Sequence, residues 1–390
     1  MPYDIILNLP GFEMISIDSS NPVRIQAQYT GINSCPHCGC ETLRIKDSFE
    51  RTVRHESFGS RITYLTFKAH KFKCLSCGKY FNQRFQGLQK HKRSTESFRR
   101  EVFLKHNNGI CQSVLSSMLK IGQATVERWY KDFIKIKAYE ITNRPCPLVM
   151  GIDEHFFTKK QGFATTICDL KNHKVYDVTL GRSELSLEPY FKKLTGKEQV
   201  KVVLMDMAET YRASITRHFP NAKIVTDRFH VIRLINHQFL KLWQDIDPEG
   251  RKNRGLLSLM RRHEEKLSEE QKARLKMYLN KTEGMLPIYE FKQKLVRLML
   301  IKTRTKKMCK RLIPIFLDYI AMLKSSVFQP MVTLGKTLDS WKEEVVRMWR
   351  FSKTNGITEG FHNKMEMISR RAFGFRNFEN YRLRVKALCG

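Results

Sequence analysis

The sequence is short of acid. Over 390 residues, 38 Asp and Glu stand against 70 Lys and Arg, a formal charge of +32. A soluble chain with that excess repels itself unless a polyanion neutralises it. The basic residues run through the whole sequence rather than gathering in one tail, and nucleic acid is the polyanion this distribution points to. No apolar run approaches the ~18–20 residues that a membrane span requires. The opening MPYDIILNLPGF has neither the basic nor the apolar region of a secretory signal. The ten cysteines do not make the dense framework of a short secreted domain. These absences lead us to expect a reducing, cytoplasmic, nucleoid-associated protein with no membrane partner. Internal repeats and low-complexity segments are missing too. With 42% apolar residues the chain can bury sizeable cores, and its length suggests two or three domains.

What is present begins with two CxxCG turns, CPHCG at 35–39 and CLSCG at 74–78. Such a turn brings two thiolates to one metal, and the following Gly39 and Gly78 permit the tight geometry. Cys35, Cys38, Cys74 and Cys77 are therefore expected to hold one structural Zn2+, with His37 and Cys40 as possible substitutes. Short alternating stretches around them (15–17, 23–27, 62–67) read as strands. The expected zinc-binding β module covers 1–90.

Residues 91–145 read as helices. Ser94 and Thr95 suit a cap, a short helix is expected at 112–119, a break at 121–123, and a further helix at 124–136. Val114, Leu115, Met118, Ile121, Val126, Trp129 and Tyr130 supply the apolar spacing of a helix-turn-helix. In that arrangement Gln123, Thr125, Glu127 and Arg128 sit where a recognition helix meets base edges. Lys92 and Arg93 lie in a basic run suited to phosphates. An ordinary helical hairpin has the same spacing; the neighbouring cysteines and basic runs favour DNA. NRPCPL (143–148) reads as a linker.

From 146 to 240 short apolar runs alternate with helical stretches, an α/β pattern. LVMGI leads into Asp153, and VKVVLM, a buried-strand run, ends at Asp206. Adjacent strands ending in Asp would bring two carboxylates to one sheet edge, as a hard divalent cation needs. Strand alternation turns Glu154 away. Asp169, Asp177 and Asp227 are further candidates. A lone strand-end Asp is more often a turn or cap residue, so the pair gains its weight from a third acid, Glu359, which opens a basic helix. Residues 241–345 carry helical spacing only. The step from Asp206 to Glu359 is too long for one small sheet, so this block reads as an insertion before a final segment, 346–390.

GIDE, VVLMDMAETYRASI, DRFHVIRLIN and TNGITEGFHNKMEMISRRAFGFRNFENYRLR together resemble the insertion-sequence transposases of the ISL-three family. The resemblance runs over essentially the whole chain, and its last stretch is the most specific. It implies a multidomain α/β protein: a ribonuclease-H-like catalytic core with an inserted all-helical domain, preceded by the zinc-binding β module and the helix-turn-helix. It implies a DDE triad of Asp153, Asp206 and Glu359 holding two Mg2+ (or Mn2+), with Asp227 and His230 accessory. The reaction implied is nicking and strand transfer on double-stranded DNA, at terminal inverted repeats and target, by a homodimer in the bacterial cytosol. Lys364, Arg370, Arg371, Arg376, Arg382 and Arg384 are expected to hold DNA backbone near the metals. Two other classes remain open: a transposase-derived DNA-binding regulator without nuclease activity, and an RNA-processing enzyme with a similar core.

Overall fold

The computed structural model describes residues 7–142, 144–303, 305–351 and 356–390, with backbone alone at 140–142. The chain divides into two compact units. One comprises Met1–Lys137 with Arg371–Gly374, the other Ala138–Arg370 with Phe375–Gly390.

The first unit opens with a five-stranded sheet. Its strands are β1 (Phe12–Asp18), β2 (Val23–Tyr29), β3 (Leu43–Phe58), β4 (Arg61–Cys74) and β5 (Tyr80–Asn82). The order is β1-β2-β4-β3, with β5 also on β4. Period-two burial of Val23, Ile25 and Ala27 turns one face of β2 inward. There Phe12, Tyr29, Phe67 and Phe85 cluster with centroids 4.9–5.6 Å apart, edge to face except for the tilted pair Phe12–Phe85.

Helices α1 (Glu96–Asn107), α2 (Gln112–Leu119) and α3 (Gln123–Thr142) follow. The Thr95 hydroxyl caps α1 by accepting from Phe98 N–H. Phe98, Val102, Leu115, Leu119, Val126 and Trp129 form their core. Val114 and Met118, expected in that core, are exposed; α2 is only two turns long and buries one narrow stripe, Leu115 and Leu119. The left-handed residue that ends α2 is Lys120, at φ 52°, just before the break expected at 121–123. Buried Arg54 of β3 joins strands to helices. It donates to Leu119 O at 3.1 Å and covers the Phe98 ring at 4.9 Å.

The second unit holds β6 (Val149–Thr158), β7 (Gly162–Asp169), β8 (Lys174–Leu180), β9 (Val202–Met205) and β10 (Lys223–Thr226), in the order β10-β9-β6-β7-β8. The first three are an antiparallel meander; β9 and β10 run parallel to β6. Crossover helices α4 (Glu184–Lys193) and α5 (Glu209–His218) make the parallel steps possible. Helix α6 (Arg228–Ile246) leads into a strandless run: α7 (Pro248–Lys252), α8 (Arg254–Arg261), α9 (Glu269–Lys281), α10 (Met285–Leu300), α11 (Lys306–Lys324), α12 (Gln329–Ser340) and α13 (Lys342–Arg350). The chain closes with α14 (Gly356–Arg371) and α15 (Phe378–Cys389).

The helical run has two cores. Trp243, Leu256, Leu259, Leu275, Leu279 and Tyr289 form one of their own, tied by Trp243 Nε1–H donating to Tyr278 Oη and Tyr278 Oη–H to Asp247, both at 2.6 Å. Leu295, Phe316, Leu334 and Trp349 instead join the core that includes the sheet. Among the described residues no helix is long and apolar enough to cross a membrane.

Candidate active site and zinc centre

Each CxxCG turn folds the same way. Gly39 N–H donates to Cys35 O at 2.9 Å and Gly78 N–H to Cys74 O at 3.0 Å. Both glycines have left-handed φ, 75° and 72°, and a Cβ at either would meet nothing within 4 Å. The glycine is therefore required by backbone conformation and not by space. The first turn follows β2 and the second ends β4, and the β3–β4 hairpin brings them together. Sulfurs of Cys35 and Cys77 lie 3.6 Å apart, those of Cys38 and Cys74 3.5 Å, and all four lie within 4.8 Å of one another. Tetrahedral zinc with Zn–S near 2.3 Å separates its sulfurs by about 3.8 Å, so the donor set fits zinc. Cys40 stays outside it, its sulfur accepting from the Ser76 hydroxyl at 2.9 Å.

On the first two turns of α3, Gln123 and Arg128 are exposed and Thr125 half-buried; Arg128 donates to Thr125 Oγ1 at 3.4 Å. Lys92 and Arg93 are exposed on the segment before α1.

In the second unit, register assembles the acids. Gly151 of β6 pairs with Leu204 of β9, so two residues further along each strand stand Asp153 and Asp206. Thr226 of β10 pairs with Met205, so the next residue, Asp227, falls beside Asp206. Three aspartates thus form one row where three parallel neighbours stop pairing, the end at which open α/β sheets bind ligands. Strand β6 does not end at Asp153; its pairing with β7 carries it to Thr158. Glu154 points elsewhere and accepts from Arg182 at 3.2 Å.

His230, on the first turn of α6, closes the row. Its Nδ1 lies 3.0 Å from Asp206 Oδ2 and its Nε2 3.9 Å from Asp227 Oδ2. Burial opposes a charge on His230, but the bond to Asp206 and the surrounding carboxylates outweigh it and hold its pKa above the ordinary value. Burial and the charge of Asp206 push Asp153 up to about 7. Asp206 Oδ1 is buried and accepts no hydrogen bond. An orphaned carboxylate oxygen among crowded acids is a donor set suited to a divalent cation.

Asp206, Asp227 and His230 place ligand atoms within 4.8 Å of one another; among the described residues, neither Asp153 nor Glu359 joins a set that close. Glu359 is exposed on the first turn of α14. That turn lies on β6, because a Cβ on Gly151 would fall 3.0 Å from Thr358 Oγ1. One turn later, His362 Nδ1 lies 3.9 Å from Asp153 Oδ2.

Other candidates are placed differently. Asp169 caps the β7–β8 turn through Lys171 and Asn172 N–H. Asp177 is buried, and Arg382 answers it with two bonds of 2.8 and 2.6 Å. Arg382, expected at DNA backbone, is thus engaged as counter-charge to a buried carboxylate, and Arg384 is buried. Lys364 donates to Leu388 O at 2.7 Å and Arg370 to Glu366 at 2.6 Å; Arg371 and Arg376 are exposed. A groove of about 760 Å³ runs from Asp206 and His230 along α6, past Phe229, Arg233, His237 and Arg261. Phe229 is 62% exposed. Sequence reasoning missed His155, Thr166, His362 and Tyr381. The EGFH stretch held His362 in view, but its partners lie far off in the chain.

Comparison with known proteins places matches on both parts of the chain. A family described as transposase, DDE type, of the ISL3 group matches residues 150–385, and the zinc-finger of transposase IS204/IS1001/IS1096/IS1165 matches 33–77. The transposase for insertion sequence element IS1001 of Bordetella parapertussis is 22% identical over 364 residues, covering 90% of this chain and 88% of that protein. With the catalytic family spanning more than half of its length, and the zinc-finger family falling on the four clustered cysteines, the chain belongs to the ISL3 family of DDE transposases.

Proposed function

We propose that this DNA transposase nicks and joins DNA at a divalent-metal site held by Asp153, Asp206 and Glu359, with Asp227 and His230 accessory. The observation that carries the reading is the aligned row of Asp153, Asp206 and Asp227, with the orphaned Asp206 oxygen and with α14 laid on Gly151. Magnesium or manganese bound there supplies activation of the attacking water or 3′-hydroxyl and neutralises the leaving oxygen. The protein groups orient and hold. His230 donates through Nδ1 to one oxygen of Asp206 and leaves the other free. Asp227 keeps His230 in place from the far side. Arg233 and Arg261 line the groove beside them, placed to hold phosphates of the strand being cut.

The five-stranded sheet, interrupted by helices between α6 and α14, supports a ribonuclease-H-like core with a helical domain inserted at 241–345. The compact pairing of zinc module and helices supports 1–145 as the part that finds terminal inverted repeats, through Gln123, Thr125 and Arg128 on bases and Lys92 and Arg93 on backbone. Arg371 and Arg376 are left to contact target or end DNA. Two ends must be held together for transfer, so a homodimer on DNA in the cytoplasm, at the nucleoid, is the working assembly.

The test separates cutting from binding. Asp153→Asn, Asp206→Asn and Glu359→Gln should each lower nicking and joining of the element's own end DNA by a thousandfold or more, about 4 kcal/mol of barrier. Affinity for that DNA should hold within about twofold, since cationic contacts supply it. Glu154→Gln should keep most activity. Triad variants that still cut would place the nuclease elsewhere. Wild-type protein that binds ends and never nicks, with either metal, would favour a regulator.

A further inference from the structure

Helix α11 (Lys306–Lys324) carries more apolar surface than it buries. Cys309, Phe316, Ile320 and Leu323 are its buried residues, and Phe316 meets Trp349 edge to face. A second apolar stripe runs beside that one. Met308, Leu312, Ile315, Tyr319 and Met322 follow one another at steps of four, three, four and three residues, the spacing of a seam between two paired helices. Leu312 and Tyr319 lie at its border, partly buried against the core, with the Tyr319 ring 5.2 Å from that of Phe291. Met308, Ile315 and Met322 are 53%, 42% and 56% exposed. Large apolar side chains repeated every seventh residue on the open side of a helix form a contiguous patch, and such patches mark contact surfaces.

The charges beside the seam indicate what covers it. Asp318 is the single acid of α11, among Lys306, Lys307, Lys310, Arg311 and Lys324. The residues three and four away from it are Pro314, Ile315, Ala321 and Met322, so its own helix offers it no cation. Arg311 has Lys307, Met308, Pro314 and Ile315 at those distances, and no acid. Both side chains are exposed, and their seven-residue separation puts them on the same flank of the seam. In a second α11 running antiparallel about a two-fold axis at Ile315, Met308 of each copy faces Met322 of the other, and Ile315 meets itself. Arg311 of each copy then comes within one residue of standing opposite Asp318 of the other. Both ion pairs form at once, as a self-complementary two-fold contact requires. A parallel pair would instead set this flank against the opposite one, where Phe316 and Leu323 are already buried in their own core, and neither charge would be answered.

We propose that α11 is a self-association surface of this chain. Two copies pair antiparallel along Met308, Leu312, Ile315, Tyr319 and Met322, with Arg311 answering Asp318 across the axis. The pairing needs no DNA. Its use, holding two catalytic units together while two DNA ends are joined, rests on the homodimer of the proposed function; the pairing itself does not. A seam on one helix is smaller than a standard interface, and contacts below about 1,200 Å² are weak, so association is expected in the micromolar range.

The test is sedimentation of the full-length, zinc-loaded protein without DNA, over about 1–100 μM, in enough salt to screen its net charge. The mass should rise from one chain toward two. Ile315→Glu should hold it at one, with helical dichroism and urea midpoint unchanged. Arg311→Glu alone and Asp318→Lys alone should each weaken association by about 10-fold, because each sets like charges together twice; the two combined should restore it. A short bis-maleimide should join Ile315→Cys chains into a pair that wild type lacks. Leu317→Cys, also exposed but on the opposite side of the helix, should add none. Wild type that stays single throughout, association unmoved by Ile315→Glu, or equal cross-linking from position 317 would overturn the surface. Failure of the double charge variant to recover would overturn the antiparallel pairing. A single-chain Ile315→Glu protein that joins two ends as fast as wild type would uphold the surface and remove its part in transfer. A chain that pairs as described and never nicks would uphold the surface and remove the catalytic reading instead.

Discussion

The zinc centre and the acid centre are assembled over very different chain distances. Each zinc knuckle is a local turn, and one hairpin brings the pair together, leaving all four sulfurs within 4.8 Å. The acid row draws Asp153, Asp206 and Asp227 from three strands, and the proposed metal site adds Glu359 from a helix some 150 residues beyond Asp206. Thiols become thiolates as metal arrives, so their close set carries little repulsion beforehand. Carboxylates carry their charge unless they take a proton, and Asp153, raised first by burial and then by the charge of Asp206, registers the cost of gathering them. A structural site can therefore be closed and complete, whereas a site that must admit phosphate is held open by the charges that make it useful.

The largest expected effect tests the closed side of that contrast. Cys35→Ser combined with Cys74→Ser should remove about one zinc per chain, measured by metal analysis of purified protein. Apparent binding energies of structural zinc are of order 10 kcal/mol, so the β module should unfold. Loss of its near-ultraviolet dichroism, with the helical signal largely kept, would show it. Unchanged zinc content in the double variant would break the assignment. Removing Cys40 alone should leave zinc in place, since its sulfur is engaged by Ser76 and lies outside the set.

This contrast also explains what could be read from the sequence. CxxCG turns, the Thr95 cap and the starts of α2 and α3 are local signals, legible because spacing of a few residues determines them, whereas α3 runs on to Thr142, past the 136 expected. The ends of β9 and β10 were legible because apolar runs stop at Asp206 and Asp227. The pairing of Arg382 with Asp177 gave no local signal, because the two lie 205 residues apart. The His155–Tyr381 contact spans 226 residues, and no periodicity reports such a pairing. Reading 241–345 as one block missed that its second half shares the sheet's core, because helical spacing shows that a face is buried and not against what.

A smaller effect sharpens the acid side. His155 and His362 have folded-state pKa values of about 3 and about 4, below the ~6.5 of an unfolded histidine. Between those limits the unfolded chain binds more protons than the folded one. Their contribution is therefore fully present above about pH 6.5 and is lost as pH falls toward 3. The slope is at most about 1.4 kcal/mol per pH unit for each histidine. Asp153, raised to about 7, works the opposite way over this window, so the comparison is with a variant: replacing both histidines by Gln should make urea midpoints of metal-free protein fall less between pH 6.5 and 5 than those of wild type. An equally steep fall in the double variant would mean that other groups carry the acid sensitivity.

The smallest effects compare the two units as DNA partners. Arg128 stands exposed on the second turn of α3, where a side chain can reach a base edge, whereas Lys92 and Arg93 stand on an irregular segment suited to phosphate. In the full-length protein, Arg128→Ala should cost about 1–3 kcal/mol of preference for the element's end DNA over random duplex. Lys92→Ala with Arg93→Ala should weaken both DNAs alike and lower the salt slope by about one for each phosphate no longer held. Asp206→Asn should leave both affinities in place or raise them slightly, because it removes a negative charge near the bound phosphate. Titrations at two salt concentrations distinguish the three patterns. If Arg128→Ala weakened both DNAs equally, α3 would hold backbone rather than read sequence. If Asp206→Asn instead altered the preference between DNAs, recognition would lie at the acid centre, and the division between a unit that reads and a unit that cuts would fail.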